Sequence, residues 1–160
     1  MAATVRDLID FVATEARLID EGSFDAWLSL FAEDGTYWVP LAGATQADPF
    51  SHNSLAYEDR LLLALRIERL KNPRAHSLRV ATRCQHVLQA SSVERHDNAT
   101  GQYELRTPFV YVETRGERQL MLAGSARHQL TVVDGALKIR QKRVDLLDAD
   151  APLPAIQLFP

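Results

Sequence analysis

The chain is predicted to be an α+β protein, with N-terminal helices packed on one face of a curved, mostly antiparallel sheet. Three observations predict this. Apolar residues recur at helical spacing through much of residues 3–72. From about residue 80 onward the period changes to two. Runs of helices followed by runs of strands argue for layers in which helix and sheet are segregated. The strands also read as about a dozen residues long, against the usual ~5–6. Strands of that length must coil strongly, and a coiled sheet wrapped over helices makes a cone with an internal cavity.

The elements follow in order. Val5, Leu8, Ile9, Val12, Ala16 and Ile19 recur at helical spacing, with acids and Arg17 between them. Glu21-Gly22 breaks that run. Ser23 can cap a second helix by accepting a first-turn N–H. Phe24, Trp27, Leu28 and Phe31 then fall on one face, and Asp34-Gly35 reads as the helix exit. Residues 36–41 read as a short strand, with Tyr37 and Trp38 on opposite faces. Residues 42–54, with Gly43, Pro49 and Asn53, read as a surface loop.

A third helix is predicted over 57–70. Leu63, Ile67 and Leu70 form its stripe, flanked by Leu61, Leu62 and Leu65, so it should be covered on more than one side. Asn72-Pro73 stops it. Strands are then predicted over 82–93, 102–113, 119–133 and 136–146. Residues 94–101 read as a loop, Arg115-Gly116-Glu117 as a turn, and Asp134-Gly135 as a tight hairpin. In the second strand Tyr103, Leu105, Thr107, Phe109 and Tyr111 share a face. In the third, Leu120, Leu122, Gly124, Ala126, His128, Leu130 and Val132 do. The expectation is one domain over 1–160: a helical part at about 3–72, a sheet meander at about 80–148, and a tail at 149–160.

Composition excludes several classes. The 160 residues are enough to bury most of the apolar surface without disulfides or metals. The net charge is −3 with acids and bases interspersed, and no basic stripe offers a nucleic-acid surface. A lone cysteine, Cys84, cannot form an internal disulfide. The opening MAATVRDLIDFVATEARLIDEG has no cationic start followed by a long apolar run, so no signal peptide is expected. The longest apolar run, 61–65, is far short of the roughly 20 residues of a membrane span. A soluble cytoplasmic protein is expected, with no nucleic-acid or membrane partner.

The chemistry is harder to place. None of His52, His76, His86, His96 and His128 forms an H-E-x-x-H zinc motif. Cys84 alone cannot carry an iron–sulfur cluster, and no local spacing suggests a two-histidine, one-carboxylate iron site. Phosphate-cradling loops and the G-x-S-x-G elbow are missing. Acid–base chemistry inside the cone is left. His128 lies on the apolar face of its strand, where a buried imidazole could act as a base near neutral pH. Equally, it could be a core histidine satisfied by a carbonyl or a tyrosine. His86, mid-strand, has the same two readings. Tyr37 and Tyr103 could donate hydrogen bonds into the cavity or simply pack. Asp20 could be a general base if it pointed inward, but Glu21 and Gly22 beside it suggest an exposed helix end.

Two blocks resemble a known family. Residues 15–41, EARLIDEGSFDAWLSLFAEDGTYWVPL, resemble the opening of the small, or beta, subunits of aromatic-ring-hydroxylating dioxygenases. That pattern is an arginine-leucine-acidic entry, then F-x-x-W-L-x-L-F, then D-G-x-Y-W-V-P. Arg17, Leu18, Asp20, Phe24, Trp27, Leu28, Phe31, Gly35, Tyr37, Trp38 and Pro40 are among the residues that fit it. Residues 57–77, YEDRLLLALRIERLKNPRAHS, resemble the family's D-D-R-x-x-L-x-x-R-x-x-R-L helix and A-H-S, with Glu58 where Asp is frequent. Arg83 and His86 keep the spacing of a following S-R-x-x-H.

The resemblance implies the cone-shaped NTF2-like, or cystatin-like, fold. It also implies a structural, non-catalytic role in a complex that converts an aromatic substrate to a cis-dihydrodiol. No cofactor is expected in this chain. The Rieske 2Fe-2S cluster and the mononuclear iron are expected in a partner alpha subunit, in an alpha3beta3 hexamer with sister beta subunits around a threefold axis. One of Tyr37 and Trp38 should then pack inside the cone and the other outside, near a partner. The outer surface of the meander should bury against sister and large subunits.

The alternative is a stand-alone isomerase or dehydratase of the same fold. It would use His86 or His128 with Tyr37 or Asp20 for proton transfer. A small-ligand binding module is a third reading. A cavity closed by Trp27, Phe31 and Tyr37 favours the subunit. An open cavity with a histidine and a carboxylate converging on it favours the enzyme.

Overall fold

A computed structural model of the chain describes residues 2–72, 81–149, 151–153 and 155–160. The elements run α1 (Val5–Asp20), α2 (Phe24–Ser29), β1 (Phe31–Pro40), β2 (Ser54–Asp59), α3 (Arg60–Lys71), β3 (Arg83–Leu88), β4 (Ser92–Asp97), β5 (Gln102–Arg115), β6 (Arg118–Val133) and β7 (Ala136–Leu146). A short 3-10 turn, Gly43–Thr45, interrupts the loop after β1. Among the described residues the strands make one sheet in the order β2-β1-β7-β6-β5-β3, with β4 also on β5. The fold is the expected α+β, NTF2-like cone, with one qualification: β1 pairs with β7 in parallel.

Local sequence sets several boundaries. Thr4 and Asp7 form a reciprocal capping box at the start of α1. The third helix begins at Arg60 rather than at 57, because Asp59 is its cap and accepts the N–H of Leu62 at 2.9 Å. Tyr57 and Glu58 therefore belong to β2. Asp134 and Gly135 both have positive φ, 50° and 79°, as a two-residue hairpin requires. The inward faces predicted for β5 and β6 are the buried ones. Pro73 and the A-H-S residues 75–77 lie outside the described residues.

Three expectations need correcting. The second helix ends at Ser29, and Phe31 opens β1, because Ile139 of β7 captures the Leu30 carbonyl at 2.8 Å. Asp34-Gly35 is therefore inside a strand. There the pairing with β7 slips, from Phe31↔Ile139 to Thr36↔Gln141. Gly35 permits a close approach: a Cβ there would lie 2.7 Å from the Ile139 carbonyl oxygen.

The predicted strand 82–93 is two strands, and residues 94–97 extend the second of them. The break lies opposite Pro108. That residue accepts from the Gln89 N–H at 2.9 Å but has no N–H to return, so the ladder parts there.

Gly124 is a second close approach, since a Cβ there would lie 2.4 Å from the Asp145 carbonyl oxygen on β7. Gly124→Ala is expected to cost about 1–3 kcal/mol by forcing β6 from β7. A lower urea midpoint at unchanged slope would register that loss.

Candidate functional site

The candidate acid–base residues fall into three hydrogen-bond networks. The first joins the end of α1 to β3. Asp20 is turned inward, contrary to the exposed position expected from Glu21-Gly22. Its carboxylate accepts the His86 N–H at 3.0 Å and lies 2.7 Å from His86 Nδ1. It also accepts from Gln85 Nε2 at 3.0 Å and from the Cys84 thiol at 3.6 Å. The helix end is thereby sewn to a sheet edge, which explains why an acid sits there. The His86 ring packs against Tyr111 and Phe109, and its Nε2 is buried with no partner among the described residues.

Asp20, Cys84 and His86 are also a group whose ligand atoms lie within 4.8 Å of one another. Asp20 Oδ1, Cys84 Sγ and His86 Nδ1 are engaged in the hydrogen bonds just given. Burial first, and the Asp20 charge second, push the Cys84 thiol up to about 12. It stays protonated at neutral pH and is a poor metal ligand as it stands.

The second network is fully buried. Glu15 accepts from Trp27 Nε1 at 2.6 Å and from Lys142 Nζ at 2.9 Å, and its other oxygen is 3.2 Å from His128 Nε2. All four side chains are closed off from solvent. Burial alone would push the Glu15 carboxyl up; Lys142 and His128 together outweigh it and hold it below the ordinary carboxylate range. His128 is thus a core histidine, but its partner is a carboxylate rather than a carbonyl or a tyrosine. Sequence reasoning missed Glu15 and Lys142, although both carry a signal. Glu15 falls on the buried stripe Leu8, Val12, Ile19, and Lys142 shares the inward parity of Val144 and Leu146.

The third network closes the cone. The Tyr37 hydroxyl donates to the Pro160 carbonyl at 2.8 Å, and burial holds that phenol protonated. Phe159 is completely buried, with ring centroids at 4.5 Å from Trp27 and 5.8 Å from both Tyr37 and Phe24. Arg66 lies over the Phe159 ring at 4.2 Å and donates to the Leu158 carbonyl at 2.6 Å. Glu113 accepts the N–H groups of Gln157 and Leu158 at 3.0 and 2.9 Å, and the Tyr111 hydroxyl at 2.7 Å. Segment 155–160 is therefore a plug held by side chains of α3, β1 and β5.

Trp38 is buried as well. It donates to Ser54 Oγ at 2.8 Å, stacks under Arg143 and meets Tyr57 edge-on. As expected, the two aromatics point to opposite faces of β1, Tyr37 into the cone and Trp38 to the outside; Trp38, however, is buried within this chain, by Arg143 and Tyr57. Asp20 and His86 meet. His128 and Tyr37 share no hydrogen bond with that pair among the described residues.

The sequence also matches a family model, described as ring hydroxylating beta subunit, over residues 14–151. The chain belongs to that family. Among its relatives, the small subunit of 2-halobenzoate 1,2-dioxygenase from Burkholderia cepacia is 30% identical, over 88% of this chain and 86% of that protein. The small oxygenase component of the p-cumate 2,3-dioxygenase system from Pseudomonas putida is 30% identical, over 94% and 83%. The crystal structure of the benzoate 1,2-dioxygenase beta subunit from Burkholderia mallei is 25% identical and covers 99% of each chain, with a TM-score of 0.78. In this ring-hydroxylating beta subunit, no helix among the described residues is long and apolar enough to cross a membrane.

Proposed function

We propose that this beta subunit is a structural, non-catalytic component of a multicomponent dioxygenase that converts an aromatic substrate to a cis-dihydrodiol. The observation that carries this reading is the filled cone. Trp27, Phe31, Tyr37 and Phe159 close on one another where an enzyme of this architecture would need an open cavity. In this reading the Rieske cluster and the mononuclear iron belong to a large alpha subunit. Three copies of each subunit surround a threefold axis, and the assembly is cytoplasmic. The names of the relatives support an aromatic acid as the class of substrate.

Two uncovered apolar faces support a role in assembly. On α3, Leu63 and Ile67 face the core, while Leu61 (68% exposed), Leu62 and Leu65 face away from it. On the outer face of the meander, Val87, Val110 and Ala123 lie side by side on β3, β5 and β6, with Met121 near them. Apolar patches of this kind mark protein–protein contacts.

Co-expression with the large subunit should yield a stable complex. Leu61→Glu with Leu65→Glu, and separately Val110→Glu, should leave the circular dichroism of the chain unchanged. At least one should weaken assembly by about 2 kcal/mol or more. A chain that stays apart from an excess of large subunit, or that turns over an aromatic compound by itself, would overturn the reading.

A further inference from the structure

A second space lies beside the plug. A cavity of about 730 Å³ opens between α3, the β1–β2 pair, Leu153 and segment 155–160. Cavities of about 300–1,000 Å³ are the usual size for small ligands. Val39, Leu55, Leu70 and Ile156 give it apolar walls. Arg66 and Arg69, three residues apart and so on one face of α3, are the charged side chains among the described residues that line it.

The two arginines are not equivalent. Arg66 is engaged: it bonds Glu58 at 2.6 Å and the Leu158 carbonyl at 2.6 Å, and it covers the Phe159 ring. The guanidinium of Arg69 has no hydrogen bond or ion pair among the described residues. With Arg66 paired to Glu58, Arg69 is the side chain that offers the cavity an unpaired positive charge beside apolar walls. A guanidinium pairs best with a planar carboxylate, through two parallel hydrogen bonds. A neutral ring would leave that charge unpaired. A phosphate dianion would be undercompensated, and the apolar walls would strip its hydration without replacing it.

We propose that this cavity binds a small carboxylate with an apolar, ring-sized body, its carboxylate on Arg69 and its body against Leu55, Leu70 and Ile156. The site adjoins the plug, sharing Tyr37, Leu158 and Pro160 with it, and lies apart from the outer apolar faces. Because Ile156 and Leu158 form one wall, occupancy should also tighten the plug and raise the melting temperature with ligand concentration.

The test uses the isolated full chain with para-fluorobenzoate, followed by fluorine NMR. Saturable line broadening is expected. Para-fluorobenzamide, which lacks the charge, should bind about tenfold or more weakly, and so should para-fluorobenzoate to Arg69→Gln. Leu70→Trp, which fills the cavity, should remove binding while Arg69→Gln keeps the native circular dichroism. Absence of saturable broadening overturns the proposal. So does equal binding by Arg69→Gln, and so does displacement of the probe by inorganic phosphate at similar concentrations, which would mark a bare anion site. No large subunit is present in this assay. A negative result therefore leaves the assembly role standing, and a failed co-expression leaves this site standing.

Discussion

Lys142→Met is expected to destabilise the chain by about 3–5 kcal/mol, because it strands the Glu15 carboxylate in the core with His128 and Trp27 as its remaining partners. Glu15→Leu should cost a similar amount by stranding Lys142. The double variant should recover most of the loss, since replacing both buried charges by apolar groups of similar volume removes the desolvation cost together with the attraction. Urea midpoints at a constant slope would give the coupling directly. Additive losses in the double variant would mean that the two groups do not act as a pair.

The same network has a pH signature. The folded-state pKa of Glu15 lies below its unfolded value, which is near ~4.3. Between the two values the unfolded chain binds more protons, so stability rises with pH there. The contribution is therefore fully present above the unfolded value and is lost as pH falls through the depressed folded one. The wild-type chain should lose stability in strong acid by this route. The Glu15→Leu/Lys142→Met variant should lack that part of the acid limb, and its stability profile should be flatter below about pH 4.

Phe159→Ala is expected to cost about 3–5 kcal/mol, the range for deleting a fully buried aromatic ring. The ring is the centre of the plug, so its loss also frees Trp27, Tyr37 and Phe24 from their shared contact and leaves Arg66 without its aromatic face. Phe159→Leu keeps the apolar filling and should lose less. Tryptophan fluorescence would report the opening, because Trp27 is fully buried against the Phe159 ring. Unchanged Trp27 emission and an unchanged midpoint in Phe159→Ala would show that segment 155–160 is not the closure of the cone.

The amino-acid sequence by itself determined the layered α+β order, the buried face of β5 and the hairpin at Asp134-Gly135. Each of these depends on neighbours in the chain: a period of two, a period near four, or two positive φ angles at a tight turn. The matching motifs around Trp27 and Tyr37 were legible for the same reason, as short contiguous patterns. Tertiary structure alone decided what those residues do. Glu15 meets Lys142 across 127 positions and Tyr37 meets Pro160 across 123, while Asp20 turns inward only because the His86 N–H, 66 positions away, is there to receive it. The parallel pairing of β1 with β7, which ends the second helix early, is equally remote in sequence. A charged or aromatic residue at an inward position marks that a partner must exist, because burial without one is too costly. Which partner it is depends on how distant segments close on each other in three dimensions.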